Sequence, residues 1–143
     1  PIYSGILKKD LKDQHLKYPK TWWKNIPEDN LTRPWNKYDK KLNKYNVKVG
    51  TTLEFWESKQ WISETHPYGW VQWYCDFYSG KRSIDDERQI KRWMQTAGPK
   101  SRFRKRLINL INKKKSKYDD FSISPKIRQT LQHWGYKLTN EDL

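Results

Sequence analysis

Apolar positions follow two regimes along this chain. From residue 51 onward they recur at helical spacing between clear start and stop signals, whereas residues 1–50 keep no sustained period. Thr51 and Glu54 read as a T-x-x-E capping box, in which each side chain serves the other's backbone N–H. A short helix is therefore expected to run to about Trp61. Pro67 suits a first helical position, and Gly80 suits the place just past a helix end. Between them Trp70, Trp73, Tyr74 and Phe77 share one face. Val71, Cys75 and Tyr78 make the other side apolar too, which predicts a central, largely buried helix. Ser83 is the expected cap of a third helix, with Asp85, Asp86 and Glu87 in its electropositive first turn. Ile90, Trp93, Met94 and Ala97 form its expected inward stripe, and Gly98-Pro99 ends it. A fourth helix is expected from about Ser101 to Asn112, burying Phe103, Leu107, Leu110 and Ile111. The fifth starts at Ser124-Pro125, buries Ile127, Leu131 and Trp134, and stops near Gly135.

Five such helices predict an all-α bundle in which residues 51–143 form one folding unit. The first fifty residues are interrupted by Pro19, Pro27 and Pro34 and are rich in Lys, Asn and Asp, so an extended, turn-rich basic arm is expected there. β-Structure has room only in this arm. Its rings, Tyr3, Tyr18, Trp22, Trp23, Trp35, Tyr38 and Tyr45, are too many for a loose tail and are expected to pin it to the helices. No internal repeat is visible.

Composition alters this picture in one respect. Leu, Ile, Val and Phe number only 28 of 143 residues, close to the level at which disorder is suspected. Nine Trp and nine Tyr make up the deficit, since each aromatic side chain buries roughly 150–250 Å². The expectation is an ordered domain with a highly charged surface. The chain opens at Pro1 without a methionine, as a fragment or a processed product would.

Several function classes lack their residues. There is no G-x-x-x-x-G-K-[ST] loop and no dinucleotide fingerprint, and six glycines leave no Gly-rich phosphate cradle. A single cysteine, Cys75, excludes an internal disulfide and the usual structural zinc site, and its aromatic neighbours suggest a buried, inert thiol. His15, His66 and His133 lie far apart, so no metal and no cofactor are expected. No run approaches the ~18 apolar residues that a membrane span needs.

Charge is what points to a partner. The chain carries +14 overall, distributed as +7 over residues 1–50, −3 over 51–80, +11 over 81–128 and −1 over 129–143. Every arginine except Arg33 lies in the third block. Arginine makes bidentate pairs with phosphates and stacks on bases, so its clustering differs from lysine scattered for solubility. The run from Arg82 to Lys117 has the electrostatic footprint of a polyanion binder. Arg102, Arg104, Lys105 and Arg106 are the candidates for phosphate contacts; Arg88, Arg92, Arg128 and Gln129 are the candidates for a more specific polar site, and Arg82 is a further binding candidate at the start of the run. Acidic membranes would attract the same charge, but the apolar stripe beside Arg102 is committed to a core, which disfavours surface insertion. Trp70, Trp73, Trp93 and Trp134 fall on helix stripes and read as core; Trp22, Trp23 and Trp35 lie on no stripe and read equally as core or as stacking surfaces.

The run G-W-V-Q-W-Y-C-D-F-Y-S-G-K-R-S-I-D-D-E-R-Q-I-K-R-W, Gly69 to Trp93, with R-Q-T-L-Q-H-W-G-Y, Arg128 to Tyr136, resembles an uncharacterised Trp-rich helical domain. The resemblance spans about residues 15–138. It implies that Arg82, Asp86, Arg88, Gln89, Arg92, Arg128, Gln129 and His133 belong to one constellation, and it implies no activity.

The function expected is binding of nucleic acid, DNA ahead of RNA, through an Arg-rich helical face, which would place the chain inside cells, nuclear or nucleoid-associated. Two alternatives stay open. An enzyme acting on a base or phosphodiester would use a carboxylate near Asp86, with His133 as a further candidate; the bland reading of Asp86 is helix capping. A structural protein of a larger nucleoprotein particle would instead need a protein partner.

Overall fold

The computed structural model describes residues 2–143, and helices dominate it. Helix α1 (Glu28–Thr32) is a single turn in the arm; α2 (Leu53–Ser58), α3 (Trp70–Tyr78), α4 (Asp86–Thr96), α5 (Arg102–Lys113) and α6 (Pro125–His133) follow. The chain begins with a small antiparallel hairpin, β1 (Ile2–Ser4) with β2 (Lys9–Leu11), in which Tyr3 faces Asp10. The rest of the arm is a string of short 3₁₀ turns, as expected of chain broken repeatedly by proline.

Helices α4, α5 and α6 share the main core. Ala97, Leu107, Ile111, Ile123, Leu131 and Leu138 are fully enclosed, with Trp93, Phe103, Ile127, Trp134 and Tyr136 packed around them. Each of the Leu and Ile side chains stabilises the fold by roughly 1.5–3 kcal/mol relative to exposure. Trp93 donates its indole N–H to the Trp134 carbonyl at 2.8 Å, tying α4 to the end of α6. Trp73 donates to Asp86 Oδ1 at 2.8 Å, tying α3 to the start of α4. Leu11, Leu53, Ile62, Trp70 and Trp73 are buried outside this core.

The arm is held by three of the expected rings. Tyr18 donates its hydroxyl to Asp76 Oδ1 at 3.0 Å, Trp22 packs edge-on against Tyr78, and Tyr45 packs edge-on against Phe121. Tyr3, Trp35 and Tyr38 instead remain exposed. The hairpin is held by the Gly5 N–H, which donates to both oxygens of Glu57 at 3.1 Å.

Boundaries differ from expectation where local chemistry offers two choices. Thr52, not Thr51, caps α2 by accepting the Phe55 N–H at 3.1 Å, so the capping box with Glu54 does not form. The helix stops at Ser58, and Gln60 turns the chain with φ 57°. Helix α3 starts at Trp70, three residues later than Pro67 suggests, because Gly69 with φ 89° is its N-cap. It is not buried all round: Val71, Tyr74 and Tyr78 face solvent. In α4 the buried line is Gln89 and Ala97 with Trp93 between them, while Ile90 and Met94 are exposed. Gln89 can be interior because both ends are bonded, Nε2 to Asp85 Oδ2 at 3.0 Å and Oε1 from Arg92 at 3.2 Å. Gly98 is required where it stands, since a Cβ there would lie 2.4 Å from the Met94 carbonyl oxygen.

Candidate nucleic-acid interface

Ser101 starts α5 by accepting the Arg104 N–H at 3.2 Å. From that start the helical period sends Leu107 and Ile111 into the core and turns Arg102, Lys105, Arg106, Asn109 and Lys113 outward. Together with Lys100 these side chains line an open groove of about 830 Å³, floored by Phe103, Leu110 and Ile127. The lining therefore holds five cations and no carboxylate. Among the described residues, none of the five donates to a protein acceptor or forms an ion pair. Such a concentration of unpaired positive charge repels itself, which an external anion would relieve. Lys100 and Lys113 join the predicted residues here. Lys113 was legible from its spacing of eleven from Arg102, three turns along the same face.

The remaining candidates are occupied by the protein itself. Arg104 turns inward to pair with Asp142, donates to the Ala97 carbonyl at 3.2 Å and lies 4.0 Å over the Tyr136 ring. Arg128 is only 3% exposed. Its guanidinium donates to the carbonyls of Ile123, Tyr118 and Asp120 at 2.9, 2.8 and 3.0 Å. Gln129 is buried beside it and accepts the Tyr45 N–H at 3.0 Å, holding the arm. Arg88 is paired with Asp85. Arg92 donates to the Trp61 carbonyl at 3.2 Å and lies over the rings of Trp61 and Trp134. Arg82 is exposed, yet it donates to the carbonyls of Phe77 and Lys81 and stacks on Phe77 at 4.0 Å, closing the end of α3. Of the arginine candidates, Arg102 and Arg106 have no protein acceptor among the described residues.

The carboxylate candidate is likewise a tie. Asp86 accepts the Ser83 N–H and hydroxyl, each at 3.0 Å, as well as the Trp73 indole. These bonds, the Ser83 backbone first, hold its carboxyl below the usual range, so it stays ionised and its lone pairs are engaged. His133 is exposed at the far end of α6, and nothing in the geometry joins it to Asp86.

A different pair was missed. His66, 3% exposed, sets Nε2 at 3.2 Å from Asp76 Oδ2, and the same carboxylate accepts from Tyr18. The pair borders a small pocket of about 100 Å³ with Lys81, Arg82, Ser83 and Asp86. The one sequence signal was a carboxylate inside an otherwise apolar, mostly aromatic run, Trp73 to Tyr78. Burial and the neighbouring Asp76 push the Cys75 thiol up, which leaves it unreactive at neutral pH. Among the described residues no three His, Cys, Asp or Glu side chains are grouped to hold a metal ion, and no helix is long and apolar enough to cross a membrane.

Fold and surface together define a small helical domain with a carboxylate-free basic groove. No family model, no curated protein and no solved structure matches this chain. The resemblance to a Trp-rich helical domain thus stands on its residue pattern alone and supplies no role.

Proposed function

We propose that the chain binds nucleic acid through the groove along α5, chiefly by contacts to the phosphate backbone. The observation that carries this reading is the lining itself: Lys100, Arg102, Lys105, Arg106 and Lys113 converge without one carboxylate to neutralise them. A backbone phosphate is a compact anion, and neutralising it releases condensed counterions, which drives binding entropically. The half-apolar floor of Phe103, Leu110 and Ile127 lowers the local dielectric and strengthens each pairing. A solvated face built for solubility would interleave the two signs, as the surface of residues 51–80 does not and the α5 groove does not.

The test is a salt titration of binding to labelled DNA, with RNA of the same sequence as its control. Each phosphate contact contributes about 0.9 to the slope of log affinity against log salt. The triple variant Arg102→Gln, Lys105→Gln, Arg106→Gln is expected to flatten that slope by roughly 2 to 3. All three side chains point to solvent or lie at the groove, so circular dichroism is expected to match the parent. An unchanged slope in a folded variant would rule the groove out.

A further inference from the structure

We infer that the outer face of α3 is a stacking platform for unpaired bases, which makes single-stranded nucleic acid the preferred ligand. This rests on the nucleic-acid reading above and sharpens it. Six rings run as a ladder across the molecule, from α6 over α3 to the arm. Trp134 meets Trp70 at 5.1 Å between centroids, and Trp70 stacks on Tyr74 at 5.2 Å. Tyr74 reaches Tyr78 at 6.2 Å, Tyr78 meets Trp22 at 5.7 Å, and Trp22 stacks on Tyr18 at 5.7 Å. The two ends are fixed. The Trp134 carbonyl receives the Trp93 indole N–H, and Tyr18 is bonded to Asp76.

The middle of the ladder is open to water. Tyr78 is 69% exposed, Tyr74 45% and Trp22 40%. Three adjacent rings left in solvent are costly for a soluble surface, and contiguous patches of this kind mark interaction sites. Helical spacing alone does not demand them, because α3 already buries Trp70, Gln72 and Trp73.

Charge decides between possible occupants. The segment carrying Tyr18 and Trp22 also carries exposed Lys17, Lys20 and Lys24 and no acidic residue between Asp13 and Glu28. Lys81 and Arg82 lie three and four residues beyond Tyr78, but Lys81 pairs with Asp76 and Arg82 with the Phe77 carbonyl, so the free charge beside the rings is that of the arm lysines. The one carboxylate of α3, Asp76, is engaged by His66, Tyr18 and Lys81. A ligand for this face must offer planar apolar surfaces alternating with negative charge. A single strand does so at every nucleotide. A duplex conceals its base faces inside its own stack, so the platform discriminates strand type without reading sequence.

Full-length chain carrying Tyr78→Ala or Trp22→Ala is to be titrated against a labelled oligothymidylate and against a duplex of equal length at one salt concentration. Stacking at ~1–3 kcal/mol per base corresponds to a loss of about 5- to 150-fold for the single strand. The duplex affinity and the salt slope are expected to stay as in the parent, and Tyr78→Phe is expected to restore binding. Tryptophan fluorescence is expected to be quenched by the single strand, less so in Trp22→Ala. Equal losses for both strand types, or no loss in either variant, would overturn the platform. So would sedimentation showing that the parent self-associates and Tyr78→Ala does not, because the rings would then be covered by a second copy. The α5 triple variant separates the two readings. If it flattens the salt slope while the ring variants change nothing, only the platform fails. If it changes nothing, the nucleic-acid reading fails first.

Discussion

Replacing Arg128 by methionine is expected to destabilise the fold by about 4 kcal/mol or more, a large fraction of the ~5–15 kcal/mol that holds a domain of this size. The guanidinium lies under the loop between α5 and α6 and donates to the carbonyls of Tyr118, Asp120 and Ile123. Helix α5 ends in a left-handed turn at Lys115, and the chain reaches α6 through a loop whose Tyr118, Asp120 and Ile123 carbonyls take side-chain partners. Arg128 supplies those partners from the first turns of α6. Removing the group takes the donor from the Tyr118 and Ile123 carbonyls and one of two donors from the Asp120 carbonyl, which keeps the Ile123 N–H, and each charge-assisted bond is worth about 1.5–3 kcal/mol. Lysine is expected to rescue little, because a single ammonium cannot serve three carbonyls set out in a fork. Chemical unfolding followed by circular dichroism measures the loss. The slope of binding against salt is expected to stay as in the parent, since Arg128 presents no charge to an external phosphate. A variant that unfolds like the parent but binds more weakly would return Arg128 to the interface.

How much of this was legible from sequence depended on whether the deciding interaction was local. The ends of α5 and α6 were, because Ser101 after Gly98-Pro99 and Ser124-Pro125 specify their turns within a few residues. The burial of Leu107, Ile111 and Leu131 followed from period alone. The face of α4 was misread for a physical reason: polarity ranks Gln89 as surface and Ile90 as core. Whether a glutamine can be buried depends on partners, and its partners Asp85 and Arg92 line up only after the helix has formed. The same ambiguity divided the arginines. Composition shows a cluster of cations but not which of them the fold will use. Arg104 and Arg128 were drawn in by acceptors 38 and up to 10 residues away, and no window along the chain contains that information. The His66–Asp76 pair was hidden likewise, since a tyrosine of the arm completes it.

That division also gives the groove its meaning. The chain spends Arg82, Arg88, Arg92, Arg104 and Arg128 on carbonyls, carboxylates and ring faces of its own. A net charge of +14 is therefore not one diffuse field. Cations with structural partners are fixed, and those along α5 are left in excess at one place. On the reading proposed above, electrostatic attraction to a polyanion is focused there.

Arg104 provides the sharpest contrast with its neighbours Arg102 and Arg106. Asp142, in the final turn of the chain, accepts from Arg104, from the Tyr136 hydroxyl and from the Thr139 N–H at 2.8 Å. Burial alone would raise the Asp142 carboxyl, but the bonds from Tyr136, Thr139 and Arg104 outweigh it and hold the group below the usual range. Burial and the same bond push the Tyr136 hydroxyl up to about 12, so it remains a donor at neutral pH. Both partners of the ion pair are almost wholly enclosed, so Arg104→Gln is expected to cost roughly 3 kcal/mol by leaving a buried charge uncompensated. Asp142→Asn is expected to act in the same direction, and a double-mutant cycle isolates the pair. Because the folded carboxyl is depressed, its contribution is complete above the unfolded value near ~3.9 and is lost as pH falls through the folded one. The stability gap between parent and Asp142→Asn should accordingly be level from about pH 5 to 7 and close below about pH 4. Urea unfolding across that range reads it directly. Arg104→Gln that keeps full stability and flattens the salt slope would mean that Arg104 opens toward the ligand, and the clasp at the end of the chain would be abandoned.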